Sequence, residues 1–386
     1  MKNVIVVAAL LAASATSLAD ESPDGFRPLF NGTNLDGWVL VNTPPQTWSV
    51  EDGMLKCTGR PIGEIRTEKM YQNFVLELEW RHMVPRGNAG VFIWADDITA
   101  RGVPFHRGIE VQVLENAYGQ SQHHTTHGDI FPIHGATMTP DNGRGGSRAF
   151  PTEERSKPSP EWNHYRITGI DGTLKLEVNG RQVTSGRDCS PRKGYICLES
   201  EGGVVDYRNI RIRELPGGDV PAEHVAIANR GYRSIYTGLD LSGWKTDDAD
   251  HWKSSDWVLS FDGTEGGPGS TLSTTAEYRD FGFVVDVRLK KPDSEAVLWL
   301  RDNDDGAVQI SLTDQKSVRE HLQEAGQWNR LEGSIAGDHL TLTVNGHDVD
   351  CGEISVPPTA SGSLSLSAFG PTEFANIYVR ELPGKP

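Results

Sequence analysis

The sequence predicts an all-β chain built as two tandem β-sandwich, or jelly-roll, domains. Residues 74–81 and 174–178 alternate apolar with polar side chains, which is the period of a strand with one buried face. Asn179-Gly180 and Asn345-Gly346 suit two-residue hairpin turns, because both central residues of such a turn take positive φ. Short strands separated by many of the 42 glycines and 22 prolines are typical of sandwiches.

An internal repeat indicates two domains. Motifs of the first half return in the same order in the second half: 29–38 as 235–244, 71–74 as 278–281, Trp162-Asn163 as Trp328-Asn329, and 209–217 as 376–384. We therefore expect domains at 20–217 and 232–386, joined by a linker at 218–231 in which Pro221 begins a short helix. A helix is also expected over 313–325 of the second domain.

Residues 1–19 have the pattern of an export signal. Lys2 supplies a positive start, residues 4–13 form an apolar core too short to span a membrane, and Ser17-Leu18-Ala19 is a small-x-small cleavage site. The mature protein is therefore expected to be secreted or periplasmic. Such a location permits disulfides, but the sequence leaves open whether Cys189 and Cys197 meet across neighbouring strands and whether Cys57 and Cys351 are bridged or free.

The charge balance narrows the class of partner. Lys plus Arg number 37 against 53 Asp plus Glu, giving a net charge of −16, which argues against nucleic acid or an anionic membrane as the ligand. The sequence also lacks a G-x-S-x-G elbow, an H-E-x-x-H helix and a phosphate-binding glycine loop. A neutral ligand suits this composition best.

The polar residues concentrate between 107 and 135. In the predicted strand 109–114, Glu110 and Gln112 share one face while Val111 and Val113 share the other. Five of the 12 histidines fall in or just before this stretch: His106, His123, His124, His127 and His134. A strand with a carboxylate and an amide on one face, followed by imidazoles, predicts the floor of an active site.

The two copies differ in these polar residues. Aligning Val111-Gln112 with Val308-Gln309 puts Ala307 opposite Glu110, and the segment 123–150 has no counterpart in the second copy. Residues 198–202 carry Glu199 and Glu201, whereas the matching stretch 366–369 has no carboxylate. We therefore expect the chemistry in the first domain, with the second domain supporting it or binding a ligand.

Together these motifs resemble the 3-keto-disaccharide hydrolase domain family. The residues that carry the resemblance lie in order along the first domain: 29–38, 88–93, 108–113, 162–167, 178–180, 194–199 and 207–212. The resemblance implies a concanavalin-like jelly roll and a secreted or periplasmic bacterial protein that acts on an oxidised disaccharide, oligosaccharide or glycoside, with the sugar oxidised at C3. The second domain is similar to the same family through fewer motifs. The long 123–150 segment departs from the commoner family pattern.

Cleavage of a 3-keto-glycoside needs a base for the acidic hydrogen on C2, a group that stabilises the enolate oxygen, and an acid for the leaving group. We expect Glu110 as the base or as a metal ligand, and Gln112 to orient a sugar hydroxyl. His124 and His127 are the expected acid and base partners. With Asp129 and Glu110 they also form a grouping suited to a divalent metal ion that polarises the ketone, so the metal requirement stays open.

Further polar and aromatic residues are candidates for sugar contacts. We expect Arg81, Arg107, Trp94, Asp129 and Glu199 at the substrate, with core packing as the alternative for Trp94. Glu201 is expected to be a surface glutamate whose hydrogen bonds are satisfied. Simple loop hydrogen bonds are expected for His106 and His134. Two other functions are compatible with the pattern. One is a lectin-like carbohydrate-binding protein without catalysis. The other is an ordinary glycosidase of the β-glucanase type, which Gln112 disfavours because β-glucanases alternate acidic residues along the corresponding strand.

Overall fold

In the computed structural model, residues 24–228, 230–263, 269–351 and 361–383 are described, so the predicted export signal lies outside the described residues. The prediction of an all-β fold is confirmed. The strands of the first half are β1 (Arg27–Pro28), β2 (Trp38–Val41), β3 (Trp48–Glu51), β4 (Met54–Cys57), β5 (Gly63–Thr67), β6 (Phe74–His82), β7 (Asn88–Ala95), β8 (Gly108–Leu114), β9 (Ile130–Ile133), β10 (Thr137–Pro140), β11 (Asn163–Ile170), β12 (Thr173–Val178), β13 (Arg181–Ser190), β14 (Tyr195–Ser200) and β15 (Val205–Glu214).

The second half continues the pattern with fewer strands. These are β16 (Arg233–Ser234), β17 (Trp244–Lys245), β18 (Trp252–Ser255), β19 (Val258–Phe261), β20 (Ser270–Thr274), β21 (Phe281–Leu289), β22 (Glu295–Asn303), β23 (Gly306–Ser311), β24 (Asn329–Ala336), β25 (His339–Val344), β26 (His347–Asp348), β27 (Ser363–Phe369) and β28 (Thr372–Glu381).

Helices are few and short. The helix expected over 313–325 shrinks to a single turn, α1 (Lys316–Arg319), so that prediction was too long. The short helix expected after Pro221 is confirmed as a 3-10 turn at Ala222–His224. Further 3-10 turns lie at Pro45–Thr47, Asn116–Tyr118 and Ala249–His251. Among the described residues, no helix is long and apolar enough to cross a membrane.

Each half is a sandwich of two antiparallel sheets. In the first half the larger sheet runs β10-β13-β12-β11-β6-β15-β4-β3, with β1 beside β15, and the smaller runs β2-β5-β14-β7-β8-β9. In the second half the corresponding orders are β18-β19-β28-β21-β24-β25-β26, with β16 beside β28, and β17-β20-β27-β22-β23. The 123–150 segment contributes β9 and β10, which extend one edge of each sheet in the first sandwich.

Apolar side chains from the facing sheets fill each sandwich. In the first, Ile109, Val111 and Val113 of β8 point into the core, which includes Leu76 and Leu78 of β6. Alternate residues of β8 therefore lie on the opposite, polar face of the smaller sheet. A separate core occupies the second sandwich. The Asn-Gly turns follow the prediction, with Asn179 and Asn345 at φ +49° and +54°.

All four cysteines are free thiols. Cys189 lies on β13 of the larger sheet and Cys197 on β14 of the smaller sheet, so they do not face each other across neighbouring strands. Cys57 is buried on β4, and Cys351 lies in the other sandwich. Covalent cross-links therefore play no part in holding the two sheets together.

Candidate active site

The polar face of the smaller sheet in the first sandwich carries the candidate site. Glu110 and Gln112 both lie on this face of β8, as the alternation of the sequence predicts, and they are only 7% and 6% exposed. On the neighbouring strand, Gly90 of β7 pairs with Gln112, and Phe92 pairs with Glu110. The site is thus built on a rigid sheet rather than on a loop, which fixes the position of each side chain.

Glu199 of β14 reaches the same place from the other side of β7. A Cβ added at Gly90 would lie 3.0 Å from Oε1 of Glu110 and 3.0 Å from Oε2 of Glu199. The two carboxyl groups therefore meet over a position that has no side chain. Oε2 of Glu199 is buried without a hydrogen-bond partner, and directly across from Glu199 on β5 stands Glu64.

Burial and mutual repulsion perturb these acids. Burial raises the pKa of Glu110 well above its usual value; the negative charge of Glu201 raises it further, and Arg148 opposes the rise. Burial also raises the pKa of Glu199 well above its usual value, with Glu110 and Glu201 adding to it. Carboxyl groups held this close in a dry site do not all ionise together, so the cluster retains a proton that solvated carboxylates would lose.

Glu201 extends the cluster toward solvent. It is half-buried, accepts a hydrogen bond from the side chain of Asn88 at the start of β7, and has a pKa that burial raises. Glu201 is thus hydrogen-bonded, as expected of a satisfied surface glutamate, but it also lies beside the other two acids. Asn88 also accepts a hydrogen bond from Nε2 of Gln112 at 2.9 Å, which links the carboxylates to the amide on β8.

Arg148 brings a positive charge to the other side of Gln112. Its guanidinium lies 3.4 Å from Oε1 of Gln112 and 3.0 Å from Oδ2 of the buried Asp129, and it stacks over the ring of Phe131 at 3.4 Å. Arg148 is part of the 123–150 segment, which sequence reasoning flagged as a departure without naming this residue. The cation is partly exposed and lies close enough to Glu110 to oppose the rise of its pKa.

The structure does not bring the predicted histidines to Glu110. His124 bonds to Oγ of Ser121 at 2.9 Å, and the buried His127 bonds to Oγ of Ser156 at 2.8 Å. Among the contacts of the described residues, neither imidazole touches Glu110, so the expected acid/base and metal grouping with Asp129 does not form. Instead, Asp129 binds the side chain and backbone of Thr125 as well as Arg148. His123 is exposed at the loop surface.

Two of the predicted sugar-binding arginines lie elsewhere. Arg81 alternates onto the outer face of the larger sheet, where it pairs with Asp206 at 2.8 Å. That face points away from the smaller sheet, so the prediction for Arg81 was wrong. Arg107 precedes β8, but Asp96 holds its guanidinium through two hydrogen bonds of 2.9 Å, and its role is to fix the loop before the strand.

Trp94 is a core residue. Its side chain is fully buried, packs edge-on against Phe74 at 6.1 Å, and donates a hydrogen bond to the carbonyl of Gln72. Simple alternation would put Trp94 on the polar face. A bulge lies between these positions. Phe92 pairs with Cys197 and Ala95 pairs with Tyr195, so β7 uses three residues where β14 uses two, and Trp94 takes φ +57°. The bulge turns the indole into the core, so the core alternative for Trp94 is the correct one.

Sequence reasoning missed a cluster of three buried side chains beside the two acids. His106 contacts the carboxylate of Glu64 through Nδ1, and the Cys197 thiol lies 3.8 Å from the same nitrogen. Within the described parts of the chain, these three are the side chains grouped closely enough to hold a metal ion, with ligand atoms within 4.8 Å of one another. All three are fully buried, and a buried carboxylate–imidazole pair accounts for the contacts as they stand.

The second sandwich lacks these groups. The bulge recurs at Arg301, whose φ of +55° matches that of Trp94, and this fixes the equivalence of the strands. Gln309 then stands opposite Trp299 as Glu110 stands opposite Phe92, so the alignment that put Ala307 opposite Glu110 was two residues off. By the same register, Thr271 replaces Glu64, Val297 replaces Gly90, Ser311 replaces Gln112 and Ser367 replaces Glu199.

Comparison with known families agrees with one fold used twice. Residues 25–213 and 231–380 match the model of the 3-keto-alpha-glucoside-1,2-lyase-like domain. A 3-keto-disaccharide hydrolase from Bacteroides thetaiotaomicron strain VPI-5482 is 24% identical over 236 residues, which cover 50% of this chain and 79% of that protein.

Two solved structures are also similar. A protein from Parabacteroides distasonis, provisionally named a glycosyl hydrolase, is 22% identical with a TM-score of 0.38, covering 50% of this chain and 95% of its own. The carbohydrate-binding module CBM66 from Bacillus subtilis is 14% identical with a TM-score of 0.34, covering 47% and 98%. The family matches cover most of the chain, so this protein belongs to the 3-keto-alpha-glucoside-1,2-lyase-like domain family, once through each of its two sandwiches.

Proposed function

We propose that the first sandwich cleaves the glycosidic bond of 3-keto-glycosides, with Glu110 as the base that removes the proton from C2. The observation that carries the proposal is the meeting of the buried Glu110 and Glu199 over Gly90, with Arg148 close enough to lower the pKa of Glu110. Family membership supports a hydrolase acting on glycosides. The assignment of the steps to residues rests on geometry and charge.

The first step is the transfer of one proton. The ketone at C3 makes the hydrogen on C2 acidic, and the carboxylate of Glu110 takes it while the electron pair of the C–H bond moves onto the ketone oxygen. Of the two central acids, Glu110 is the more exposed and the one nearer the positive charge of Arg148, which favours its ionised form. Glu199 lies deeper and retains the shared proton.

The enolate needs a positive partner. Arg148 is the cation that acts on Glu110, and its guanidinium is held by Asp129 and the ring of Phe131 before any substrate arrives. A preorganised charge of this kind stabilises a developing oxyanion without reorganising. Gln112, already within 3.4 Å of the guanidinium, is placed to hold a neighbouring hydroxyl.

The second step expels the aglycone. The enolate electrons form a C1–C2 double bond, the bond from C1 to the glycosidic oxygen breaks, and the leaving oxygen takes a proton. Glu201 is the acid nearest solvent in the cluster, and its raised pKa keeps it protonated at higher pH than a solvated carboxyl. Water then adds across the double bond, placing hydroxyl on C1 and hydrogen on C2, so the net reaction is hydrolysis.

An ordinary glycosidase fits the geometry less well. Such enzymes place two carboxyl groups on either side of the scissile bond, about 5–5.5 Å apart when they retain configuration. Here both groups are nearly buried and converge on one backbone position, which leaves no room for a sugar ring between them. A purely lectin-like function would leave three acids with raised pKa values unexplained.

The test compares a 3-keto-glucoside that carries a chromogenic aglycone with the unoxidised glucoside. Release from the keto substrate alone, lost in Glu110→Gln, is the expected result, and parallel samples with EDTA reveal any metal requirement. Release from both substrates at equal rates would support an ordinary glycosidase instead. Binding of glycans without release from either substrate would support the lectin-like function.

Export belongs to the same proposal. An enzyme for sugars arriving from outside the cell would act after removal of residues 1–19, in the periplasm or beyond. N-terminal sequencing of the mature protein tests this: a chain that begins at Asp20 agrees with export, and a chain that retains Met1 in the cytosolic fraction contradicts it.

A further inference from the structure

The loop 96–107 of the first sandwich lies between the candidate site and the second sandwich. It joins β7 to β8 and ends just before the strand that carries Glu110. Its central turn, residues 99–103, contacts the outer face of the larger sheet of the second sandwich, and Tyr378 of that sheet bonds to Thr99 at 3.0 Å.

Charged side chains of the second sandwich bind the backbone of the turn. Asp286 of β21 is fully buried, and its Oδ2 accepts a hydrogen bond of 2.8 Å from the amide of Gly102. Arg330 of β24 pairs with Asp286 through two hydrogen bonds of 2.7 and 2.8 Å and donates a third, of 2.9 Å, to the carbonyl of Thr99. A buried ion pair whose remaining donors and acceptors are all satisfied fixes one arrangement of the turn.

Asn376 of β28 completes this cluster. Its amide nitrogen donates to the carbonyls of Ala100 and Val103 at 3.1 and 3.0 Å, and to Asp286 at 2.7 Å. Its carbonyl oxygen accepts from the side chain of the buried Asn42 at 2.9 Å. The group of Asp286, Arg330 and Asn376, which we call the turn-binding cluster, thus satisfies an amide and three carbonyls of the turn.

The contact is also specific in shape. Gly102 lies flat against the indole of Trp328, where an added Cβ would come within 2.2 Å of the ring, and its φ is +72°. No residue other than glycine fits without displacing the turn or the tryptophan. The turn is therefore built to dock at this place on the second sandwich.

The opposite side of the loop forms a wall of the candidate site. Phe105 packs edge-on against Phe92 at 5.8 Å, and Phe92 is the cross-strand neighbour of Glu110. The next residue, His106, contacts Glu64, which stands directly across from Glu199. The same loop that the second sandwich binds therefore packs against the strand neighbours of both acids.

The internal repeat supplies a natural contrast. By the motif pairing, Asn209 of the first sandwich corresponds to Asn376, His164 to Arg330 and Glu79 to Asp286. Asn209 and Asn376 even share a left-handed backbone, with φ +51° and +49°. In the first sandwich these positions line an open cleft of about 480 Å³, whereas in the second they are filled by the turn.

We propose that the second sandwich is a positioning domain, whose turn-binding cluster holds the loop 96–107 closed over the Glu110 site. This inference rests on the proposed function and names a role for the copy that lacks the acids. None of its residues touches the reacting atoms; Asn376 and its neighbours act through the turn, and Phe105 and His106 pass the effect to the sheet.

The positioning role of the second sandwich predicts a change in the pH dependence of the rate when the loop is loosened. The charged and titratable groups that face Glu110 are Glu201, Arg148, Glu64, Asp129 and Glu199, and burial is the largest cause of its raised pKa. Loosening the loop admits water, which lowers the pKa of Glu110 toward its ordinary value. The acid limb of the rate profile then moves to lower pH while the rate at the plateau falls.

The experiment uses the full chain in three variants. Gly102→Ala changes the turn without substituting any residue of the second sandwich. Asn376→Ala removes the turn-binding amide, and Asn209→Ala is the matched control at the equivalent position. Each is examined by hydrogen exchange of residues 99–107 and by kcat/KM of the 3-keto-glucoside between pH 4 and 9. We expect faster exchange, at least a tenfold loss of kcat/KM and a downward shift of the acid limb in the first two variants, and none of these in Asn209→Ala.

Two results would overturn the proposal. One is unchanged exchange of the loop in both Gly102→Ala and Asn376→Ala; the other is faster exchange without any change in rate or pH profile. If the unmodified protein releases nothing from the 3-keto-glucoside, the proposed function fails, while hydrogen exchange still decides whether the second sandwich holds the loop.

Discussion

Glu110 and Glu199 share one vacant position: each places a carboxyl oxygen 3.0 Å from the point where a Cβ on Gly90 would stand. The two acids come from strands that are not neighbours, with β7 running between them. A glycine on the middle strand is what allows the carboxyl groups to approach, and the equivalent position of the second sandwich holds Val297.

The first prediction concerns this glycine. In Gly90→Ala, the added methyl group displaces the carboxyl of Glu110 or Glu199 by a few tenths of an ångström or more, which we expect to lower kcat/KM by about 100-fold, the typical cost of misplacing a reacting group. Gly146→Ala is the control, because a Cβ at Gly146 meets nothing within 4 Å. Equal losses of kcat/KM in both variants would show that the loss in Gly90→Ala does not come from contact of the methyl group with the two acids.

The second prediction couples activity to stability at Glu110. Glu110→Gln removes the base and should lower kcat by about 10²–10⁴. Burial raises the folded-state pKa of Glu110 above its ordinary 4.5, so the folded protein holds this proton more tightly than the unfolded chain. The contribution of protonated Glu110 to the free energy of unfolding is complete below pH 4.5 and is lost as the pH rises through the folded-state pKa.

Thermal unfolding of Glu110→Gln between pH 4.5 and 8 measures that linkage. We expect the variant to gain stability relative to the unmodified protein as the pH rises, because it no longer carries a buried carboxylate. The exposed Glu154 provides the control substitution to glutamine. A pH-independent difference between Glu110→Gln and the unmodified protein would contradict the raised pKa.

The third prediction tests the cation. Arg148→Ala removes the charge proposed for the enolate and should lower kcat by about 10²–10³, the usual cost of deleting an oxyanion-stabilising donor. Arg144→Ala is a matched control, since Arg144 also stacks on an aromatic ring, that of Phe150 at 3.9 Å, but has no contact with Gln112 or Asp129 among the described residues. Partial rescue of Arg148→Ala by added guanidinium would separate the lost charge from a misfolded loop.

The fourth prediction tests Glu201 as the acid that protonates the leaving group, a role that its raised pKa supports. With a nitrophenyl aglycone, which leaves without a proton, the plateau rate of Glu201→Gln should change little, whereas with an alkyl aglycone it should fall by about 10²–10⁴. Rates that fall equally for both aglycones would remove Glu201 from the role of acid.

Period-two reasoning predicted much of the site correctly. Alternation along residues 109–114 put Glu110 and Gln112 together on one face, and the difference between the two copies drew attention to Glu199. The same reasoning failed at Trp94, because one extra residue in β7 reverses the direction of its side chain. A bulge has no signature in the local pattern of apolar and polar residues.

Other parts of the site depend on which strands become neighbours. Arg81 lies on the face of β6 that period-two alternation predicts, but β6 belongs to the larger sheet, whose outer face points away from the smaller sheet and the site. Glu64 lies in a strand of the right pattern, yet only the pairing of β5 with β14 puts it across from Glu199. The density of histidines in 123–134 suggested an active-site loop, whereas His124 and His127 bond to serines. The side chain of the longer 123–150 segment that reaches the side chain of Gln112 is that of Arg148.

The measurement that most directly tests the central claim compares 3-keto-glucosides carrying hydrogen or deuterium at C2. If Glu110 removes this atom before the glycosidic bond breaks, the deuterated substrate will release its aglycone several-fold more slowly. Equal rates for the two substrates, with deuterium retained at C2 of the released sugar, would mean that the bond to C1 breaks while C2 keeps its hydrogen, and would contradict the mechanism.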